Sequence, residues 1–147
     1  GIQCRRVLCV APWPLPHYSR GARPWDRLIP SPGPTLTEAA DQIEHYRSRC
    51  AANDRPVGVT AIRRDVHVGV DRSDAWRVAD PILAQGYRGM PREALVVGGT
   101  AEVGQAFVDL GDLGYSHVLV RHLADDQQEV LASYERLAAV RSELGQG

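Results

Sequence analysis

Two glycines and a threonine, Gly98, Gly99 and Thr100, follow the apolar run ALVV at residues 94–97. Glycines let a backbone approach an anion closely, a threonine hydroxyl can donate a hydrogen bond, and the first amides of a helix carry partial positive charge. These residues could therefore hold a phosphate. Their spacing matches neither GxxxxGK[ST] nor GxGxxG, since the next glycine is Gly104. A tight strand-to-helix turn capped by Thr100 is the alternative interpretation.

Arg121 and His122 directly follow a second apolar run, HVLV at residues 117–120. The carboxyl ends of parallel strands share one edge of a sheet, so both residues are expected on the same rim as residues 98–100. An arginine there can hold a phosphate or carboxylate through two hydrogen bonds, and a histidine can donate a third. The alternative is a solvated loop arginine beside a histidine that has no role.

A third charged group, Arg63, Arg64 and Asp65, lies in a segment rich in β-branched residues. It is expected to be either a polar lining at the mouth of a barrel or cleft, or a charge pair at a strand start on the opposite rim. The sequence contains no GxSxG elbow, and its residues show no Ser-His-Asp order. We therefore assign no catalytic residue.

The histidines and cysteines do not predict a metal site. His45 and His67 lack partners at metal-ligand spacing, and the five-residue separation of His117 and His122 directs them to opposite faces of one strand. The three cysteines form neither a CxxC motif nor a Cys/His cluster, which argues against a structural zinc and a disulfide framework. A reducing cytoplasm is the expected location.

The elements that position these residues alternate regularly from Thr35 onward. Thr35 and Glu38 match a capping box that begins a helix, and the later part of residues 57–70 reads as a strand. Ser73 or Asp71 is expected to cap a second helix, which Pro81 would kink or shorten. Strands at 94–97 and 117–121, each followed by a helix, complete the pattern. This is the βα repeat of a parallel α/β sheet, with helices on one side of a curling sheet or on both sides of an open one.

Residues 1–34 form a separate unit, because they hold seven of the ten prolines and dense proline supports neither a helix interior nor a central strand. We expect an irregular arm in which only residues 4–11 could form a strand. Residues 35–147 are predicted to be the ordered domain.

Charge and hydropathy exclude several classes of partner. The 17 basic and 18 acidic residues almost cancel, so the basic surface of a nucleic-acid or anionic-membrane binder is not expected. No apolar run approaches the roughly 20 residues that a membrane-spanning helix needs. A soluble protein fits these properties best.

Several segments, in a fixed order, resemble a known family. They are the helix LTEAADQIEHYRSRCA, the strand RRDVHVGV, the helix start DRSDAWR, and then GYRGMPREALVVGGTAEVGQAF, LGYSHVLVRHL and DDQQEVLASYERLAAV. Together they resemble the C-terminal half of the bacterial luciferase-like monooxygenases, which are flavin- or F420-dependent oxidoreductases built on a TIM (βα)8 barrel. The resemblance covers about 110 of the 147 residues.

The resemblance implies a reduced FMN or coenzyme F420 cofactor and a small organic substrate. A full barrel needs about 250 residues, so this chain is expected to be a truncated barrel that lacks the strands carrying the family's catalytic residues. Such a chain should form a homo-oligomer or need the missing half-barrel. The phosphate sites of barrels follow strands seven and eight, which implies that Gly98, Gly99, Thr100, Arg121 and His122 lie near the cofactor phosphate or tail. A non-catalytic flavin-binding or structural relative and an open-sheet ligand-binding module are the alternatives.

Overall fold

The computed structural model describes residues 6–9, 27–29 and 33–145. These residues form, in chain order, β1 (Arg6–Cys9), β2 (Arg27–Leu28), α1 (Leu36–Ala52), β3 (Val59–Val68), α2 (Arg72–Ala84), β4 (Val96–Gly98), α3 (Thr100–Leu113), β5 (His117–His122) and α4 (Gln127–Gly145). Two short 3-10 turns, Tyr87–Gly89 and Arg92–Ala94, connect α2 to β4. The predicted alternation of helices and strands from residue 35 onward is confirmed.

The helix boundaries follow local chemistry. The predicted capping box begins α1, because the Thr35 hydroxyl accepts from the Glu38 amide and the Glu38 carboxylate accepts from the Thr35 amide. Asp71, one of the two predicted caps, accepts from the Asp74 amide at the start of α2. That helix continues through Pro81 to Ala84, so the expected shortening at Pro81 does not occur.

Two boundaries differ from the sequence prediction. Thr100 is the first helical residue of α3 and Gly99 is the N-cap, so the predicted Thr100 cap was wrong. The strand predicted at residues 94–97 is displaced to Val96–Gly98, because residues 92–94 form a 3-10 turn. Within the proline-rich arm, the predicted strand is present as β1. The expectation that only residues 4–11 could form a strand was wrong, because Arg27–Leu28 also forms a strand that pairs with the beginning of β3. Residues 1–5, 10–26 and 30–32 lie outside the described residues.

All strand pairs among the described residues are parallel, and β3 is the central strand. One side of β3 pairs with β5, which pairs in turn with β1. The other side pairs with β2 at its beginning and with β4 at its end. The parallel α/β class predicted from the sequence is therefore confirmed.

The barrel arrangement is not confirmed. Consecutive strands of a (βα)8 barrel are neighbours, which would place β4 between β3 and β5. In the structure β3 lies between β4 and β5 instead. This order belongs to an open sheet, in which successive crossovers run in opposite directions from a central strand.

The core lies mainly on one face of the sheet. Ile62, Val66 and Val68 of β3 pack there with Val118 and Val120 of β5. Helices α1, α3 and α4 cover this face with side chains that include Ile43, Phe107 and Leu137. A second apolar cluster forms around Ala79 of α2, Leu95 and Leu123. Tyr87 belongs to this second cluster and hydrogen-bonds Asp65, and Asp65 points away from the Ile62 face because strand side chains alternate. Helices therefore cover both faces of the sheet.

Candidate functional site

The turn at residues 98–100 is closed by an internal carboxylate. Glu102 in the first turn of α3 accepts a hydrogen bond from the Gly99 amide, with 2.9 Å between nitrogen and Oε2. The same carboxylate pairs with Arg72 at 3.2 Å through its other oxygen. The amide that would attract an anion at this helix N-terminus therefore already has one, supplied by the chain itself.

Packing accounts for Gly98 at this turn. A Cβ on Gly98 would lie 2.7 Å from Oε2 and 2.9 Å from Cβ of Glu102, so any larger residue would force the capping carboxylate to move. A Cβ on the next residue, Gly99, would lie 3.4 Å from the Asp71 Cα. These contacts support the interpretation as a tight turn. Anion binding by Gly98, Gly99 and Thr100 stays a prediction.

Arg121 and His122 lie at the C-terminal end of β5, on the same edge of the sheet as Gly98. The register of β3 pairs Asp65 with Arg121 and Val66 with His122, and it pairs Val68 with Gly98 on the opposite side of the strand. The turn after β4 and the Arg121–His122 pair therefore share one edge, as predicted. The intervening β3 separates them, because the strand order places β4 and β5 on its two sides.

A row of ionisable side chains on one face of β3 forms what we call the polar face, made of Arg63, Asp65 and His67 of β3 with Arg121 of β5. Asp65 and His67 are fully buried. Central strands of parallel sheets are normally apolar because both faces are covered, and a buried carboxylate costs several kcal/mol unless it is paired. Three ionisable residues at alternate positions of such a strand are the least expected feature of this sheet.

Asp65 is held by two partners. The Tyr87 hydroxyl donates to Oδ2 at 2.6 Å, and the Arg63 guanidinium lies 3.2 Å from Oδ1 through Nε. The second contact is an ion pair that is poorly aligned for a hydrogen bond, since Oδ1 and Nε make none in the described part of the chain. Burial and the Asp65 carboxylate together raise the pKa of Tyr87 to about 12, which keeps its hydroxyl proton in place as a donor.

The ring nitrogens of the two histidines at this edge are buried without hydrogen bonds. Neither ring nitrogen of His67 or of His122 has a partner among the described residues. The His67 Nε2 lies 4.0 Å from a carboxylate oxygen of Glu129, and the His122 ring packs 4.0 Å from the Tyr134 ring. Burial lowers the pKa of His67, and burial together with neighbouring His67 lowers the pKa of His122 to about 4. His122 is therefore an uncharged imidazole near neutral pH.

No group of three or more His, Cys, Asp or Glu side chains within the described ranges is arranged to hold a metal ion. The same ranges contain no helix that is both long and apolar enough to cross a membrane.

The structure places Arg121 near Asp65 and Tyr87, which were not predicted from the sequence to be its neighbours. Asp65 was weighed only as a lining or rim residue, and Tyr87 was not considered, because it lies in a turn more than twenty residues away. The available signal was the spacing of Arg63, Asp65 and His67, since alternate positions of a strand share one face. That signal could have placed the three side chains together, but the register with Arg121 could not be read from it.

Comparisons with known proteins show a likeness in fold. No protein-family model matches this chain, and no curated protein matches it in sequence. Among solved structures, the riboflavin lyase RcaE, determined with modified FMN and substrate riboflavin, is similar with a TM-score of 0.59 and 13% identity over 82% of this chain. Apo-MsnO8 is similar with a TM-score of 0.57 and 16% identity over 87% of the chain. The monooxygenase RslO1 from Streptomyces bottropensis is similar with a TM-score of 0.57 and 15% identity over 77%.

These matches span only part of each similar protein. The chain covers 39% of RcaE, 55% of MsnO8 and 39% of RslO1. At such identities the likeness concerns the fold.

Proposed function

We propose that this chain is part of a luciferase-like oxidoreductase that uses reduced FMN or coenzyme F420 to act on a small organic substrate. The observation that carries the proposal is the likeness in fold to RcaE, a lyase whose structure was determined with modified FMN and riboflavin. The likeness to the monooxygenase RslO1 supports the same reaction class. In this proposal the βα units of the chain belong to the C-terminal part of a TIM barrel that other residues complete. Completion of the barrel requires β4 to lie between β3 and β5, in place of the β3–β5 pairing that the chain has here.

The residues at the C-terminal edge of the sheet differ in how readily they could contact a flavin phosphate. Arg121 is partly exposed and makes no hydrogen bond or ion pair within the described chain, so its guanidinium can take up a phosphate or carboxylate. The turn at residues 98–100 fits only if Glu102 leaves the Gly99 amide. We therefore assign Arg121 the main contact to the cofactor phosphate or tail, with Gly98, Gly99 and Thr100 as a secondary wall. His122 follows Arg121 in β5 but its register partner is Val66, so its side chain lies on the opposite face and its contribution is secondary.

The bound cofactor supplies the redox chemistry, which is hydride or oxygen transfer at its ring system. The protein contributes binding, orientation and the exclusion of water. His122 is suited to such a role, since a neutral buried imidazole can hold a polar group without adding charge.

Titration with FMN and with F420, followed by fluorescence quenching, tests the proposal. We expect weak binding, because the chain covers about half or less of the similar proteins. Arg121→Ala should abolish that binding, whereas Arg141→Ala, an exposed arginine on α4, should preserve it. Gly99→Val should also weaken binding if the turn contributes.

A non-catalytic or structural relative of the same family is the second candidate, and the closed turn favours it. Glu102→Ala distinguishes the two functions, because it frees the Gly99 amide. An increase in FMN affinity in this variant would support a phosphate site that Glu102 restricts. Absence of binding by both cofactors, in the parent chain and in Glu102→Ala, would contradict the flavin-dependent function and leave the structural relative.

A further inference from the structure

The partners of Asp65 leave one arginine of the polar face available. Asp65 lies next to Arg121 in the register of β3 and β5, so these two opposite charges occupy neighbouring positions on one face. An ion pair between them would be the simplest arrangement. Asp65 is instead engaged by Tyr87 and Arg63, and Arg121 forms no ion pair within the described ranges.

The register places Arg121 beside Asp65, and the electrostatic effect of Arg121 on Tyr87 agrees with that position. The positive charge of Arg121 acts to lower the pKa of the Tyr87 hydroxyl, although burial and Asp65 outweigh that effect. Arg121 therefore lies near the hydroxyl that occupies Asp65. Arg63 lies on the other side of the carboxylate, and its Nη2 is buried without a hydrogen-bond partner among the described residues.

Among the described residues, the polar face thus holds two guanidinium groups with donors that make no hydrogen bond. They lie around one carboxylate whose Oδ2 accepts from Tyr87 and whose Oδ1 is ion-paired with Arg63 Nε. Within the described residues, the two arginines and Asp65 leave a single positive charge on the polar face, and Arg88, whose Cζ lies 5.9 Å from the centre of the Tyr87 ring, adds a further cation nearby. Guanidinium groups present parallel N–H donors that match the oxygens of a carboxylate or phosphate. Arg121 and Tyr87 are only partly buried, and the Arg63 side chain is 27% exposed although its Nε and Nη2 are buried. A ligand can therefore reach the exposed part of these groups while Asp65 stays covered.

We propose that Arg121 and Arg63 bind a small oxyanion, a carboxylate or a phosphate, and that the hydrogen bond from Tyr87 to Asp65 keeps Asp65 from neutralising Arg121. The role of this anion in a reaction rests on the proposed function, in which the anion is part of the substrate or of the cofactor. Anion binding itself requires no flavin. Asp65 and Tyr87 act as positioning residues, whereas Arg121 and Arg63 touch the ligand.

The inference predicts opposite effects for two substitutions on neighbouring residues. Arg121→Gln removes the main donor and should weaken binding of inorganic phosphate and of acetate about 10- to 100-fold. Asp65→Asn removes the competing negative charge and should strengthen binding about tenfold. Isothermal titration of the flavin-free chain with each anion measures both effects, and Arg141→Gln is the charge-matched control that should leave affinity unchanged.

Tyr87→Phe provides a test that does not change the buried charge. Loss of the hydroxyl frees the Asp65 Oδ2, which can then accept from Arg121, so anion affinity should fall about two- to tenfold. If the Asp65–Tyr87 pair has only a structural role, Tyr87→Phe will lower the stability of the fold without changing anion affinity. Equal affinity in the parent chain and in Arg121→Gln, or weaker binding in Asp65→Asn when circular dichroism shows an intact fold, would overturn the inference.

Competition identifies the source of the anion. Displacement of phosphate by FMN, but not by riboflavin, supports the cofactor phosphate as the ligand. Binding of acetate to the FMN-saturated chain supports a substrate carboxylate. The flavin titration can fail while anion binding depends on Arg121, and the reverse can also occur, so failure of this inference and failure of the proposed function are distinguishable.

Discussion

Asp65 is a fully buried carboxylate in the central strand of the sheet. Adjacent charges in RRD were compatible with a strand start at the rim of the sheet or with a polar lining. Asp65 lies in the middle of the ten-residue β3, fully buried, with its carboxylate held by Tyr87 and Arg63. A buried carboxylate persists in a strand only when partners offset its desolvation. The arrangement of those partners therefore defines the site.

His122 predicts a pH dependence of stability at the residue scale. Its pKa falls from an ordinary 6.5 to about 4 in the folded chain, so the unfolded chain binds more protons between these values. The free energy of unfolding should therefore decrease as the pH falls from about 6.5 toward 4, and His67, whose pKa is also lowered by burial, adds to the decrease. His122→Gln should flatten this dependence in urea denaturation measured at a series of pH values.

The exposed His45 on α1 gives the matched control, because His45→Gln makes the same substitution on an exposed helix face and keeps the His122 ring in place. NMR titration of the His122 ring provides a direct check. A midpoint near the ordinary 6.5 would contradict the burial on which the prediction rests.

At the scale of elements, the helix beginnings show what local sequence can decide. The capping box at Thr35 and the cap at Asp71 were predictable because each depends on side chains within three residues of the amide they satisfy. Thr100 failed as a cap because Glu102 reaches back to the Gly99 amide and displaces the helix start by one residue. The Glu102 carboxylate is visible in the sequence, but the sequence is compatible with either Thr100 or Gly99 as the N-cap. The structure of the turn decides for Gly99.

The connection between β3 and α2 carries a stability prediction. A Cβ on Gly69 would lie 2.7 Å from the Ala75 Cα and 2.8 Å from the Asp71 carbonyl oxygen. Backbone atoms cannot move away as a flexible side chain can, so Gly69→Ala should destabilise the fold by about 1–3 kcal/mol. The midpoint of urea or thermal unfolding measures the change.

Gly104→Ala is the matched control, because its Cβ would lie 3.8 Å from Val140 in ordinary contact within α3. Alanine in a helix interior should raise stability by about 0.5–1 kcal/mol. Equal effects of the two substitutions would show that the close approach at Gly69 does not constrain the fold.

At the scale of the whole molecule, the sheet has edge strands that no other described strand covers. Among the described strands, β1 pairs only with β5 and β4 pairs only with β3. Unpaired strand edges favour pairing with another chain. In the proposed function, a complementary part of the barrel would cover such surface.

We therefore expect the isolated chain to dimerise, to aggregate or to be stabilised by a partner. Sedimentation velocity over a range of protein concentrations should show self-association, and the thermal midpoint should rise with concentration. A monodisperse monomer that melts cooperatively at all concentrations would contradict this expectation and favour the open-sheet module.

The sequence alone determined the local order of this protein. The helical stripe of α1, its capping box, the apolar strands β4 and β5 and the parallel α/β class all follow from periodicity and from contacts between residues close in the chain. Only the tertiary structure decided that β3 lies between β4 and β5. It also decided that Asp65 lies beside Arg121 and accepts a hydrogen bond from Tyr87. The physical reason is that strand order and register depend on how distant segments pack, and the period-2 pattern of a strand fixes which side chains share a face without specifying the neighbouring strand.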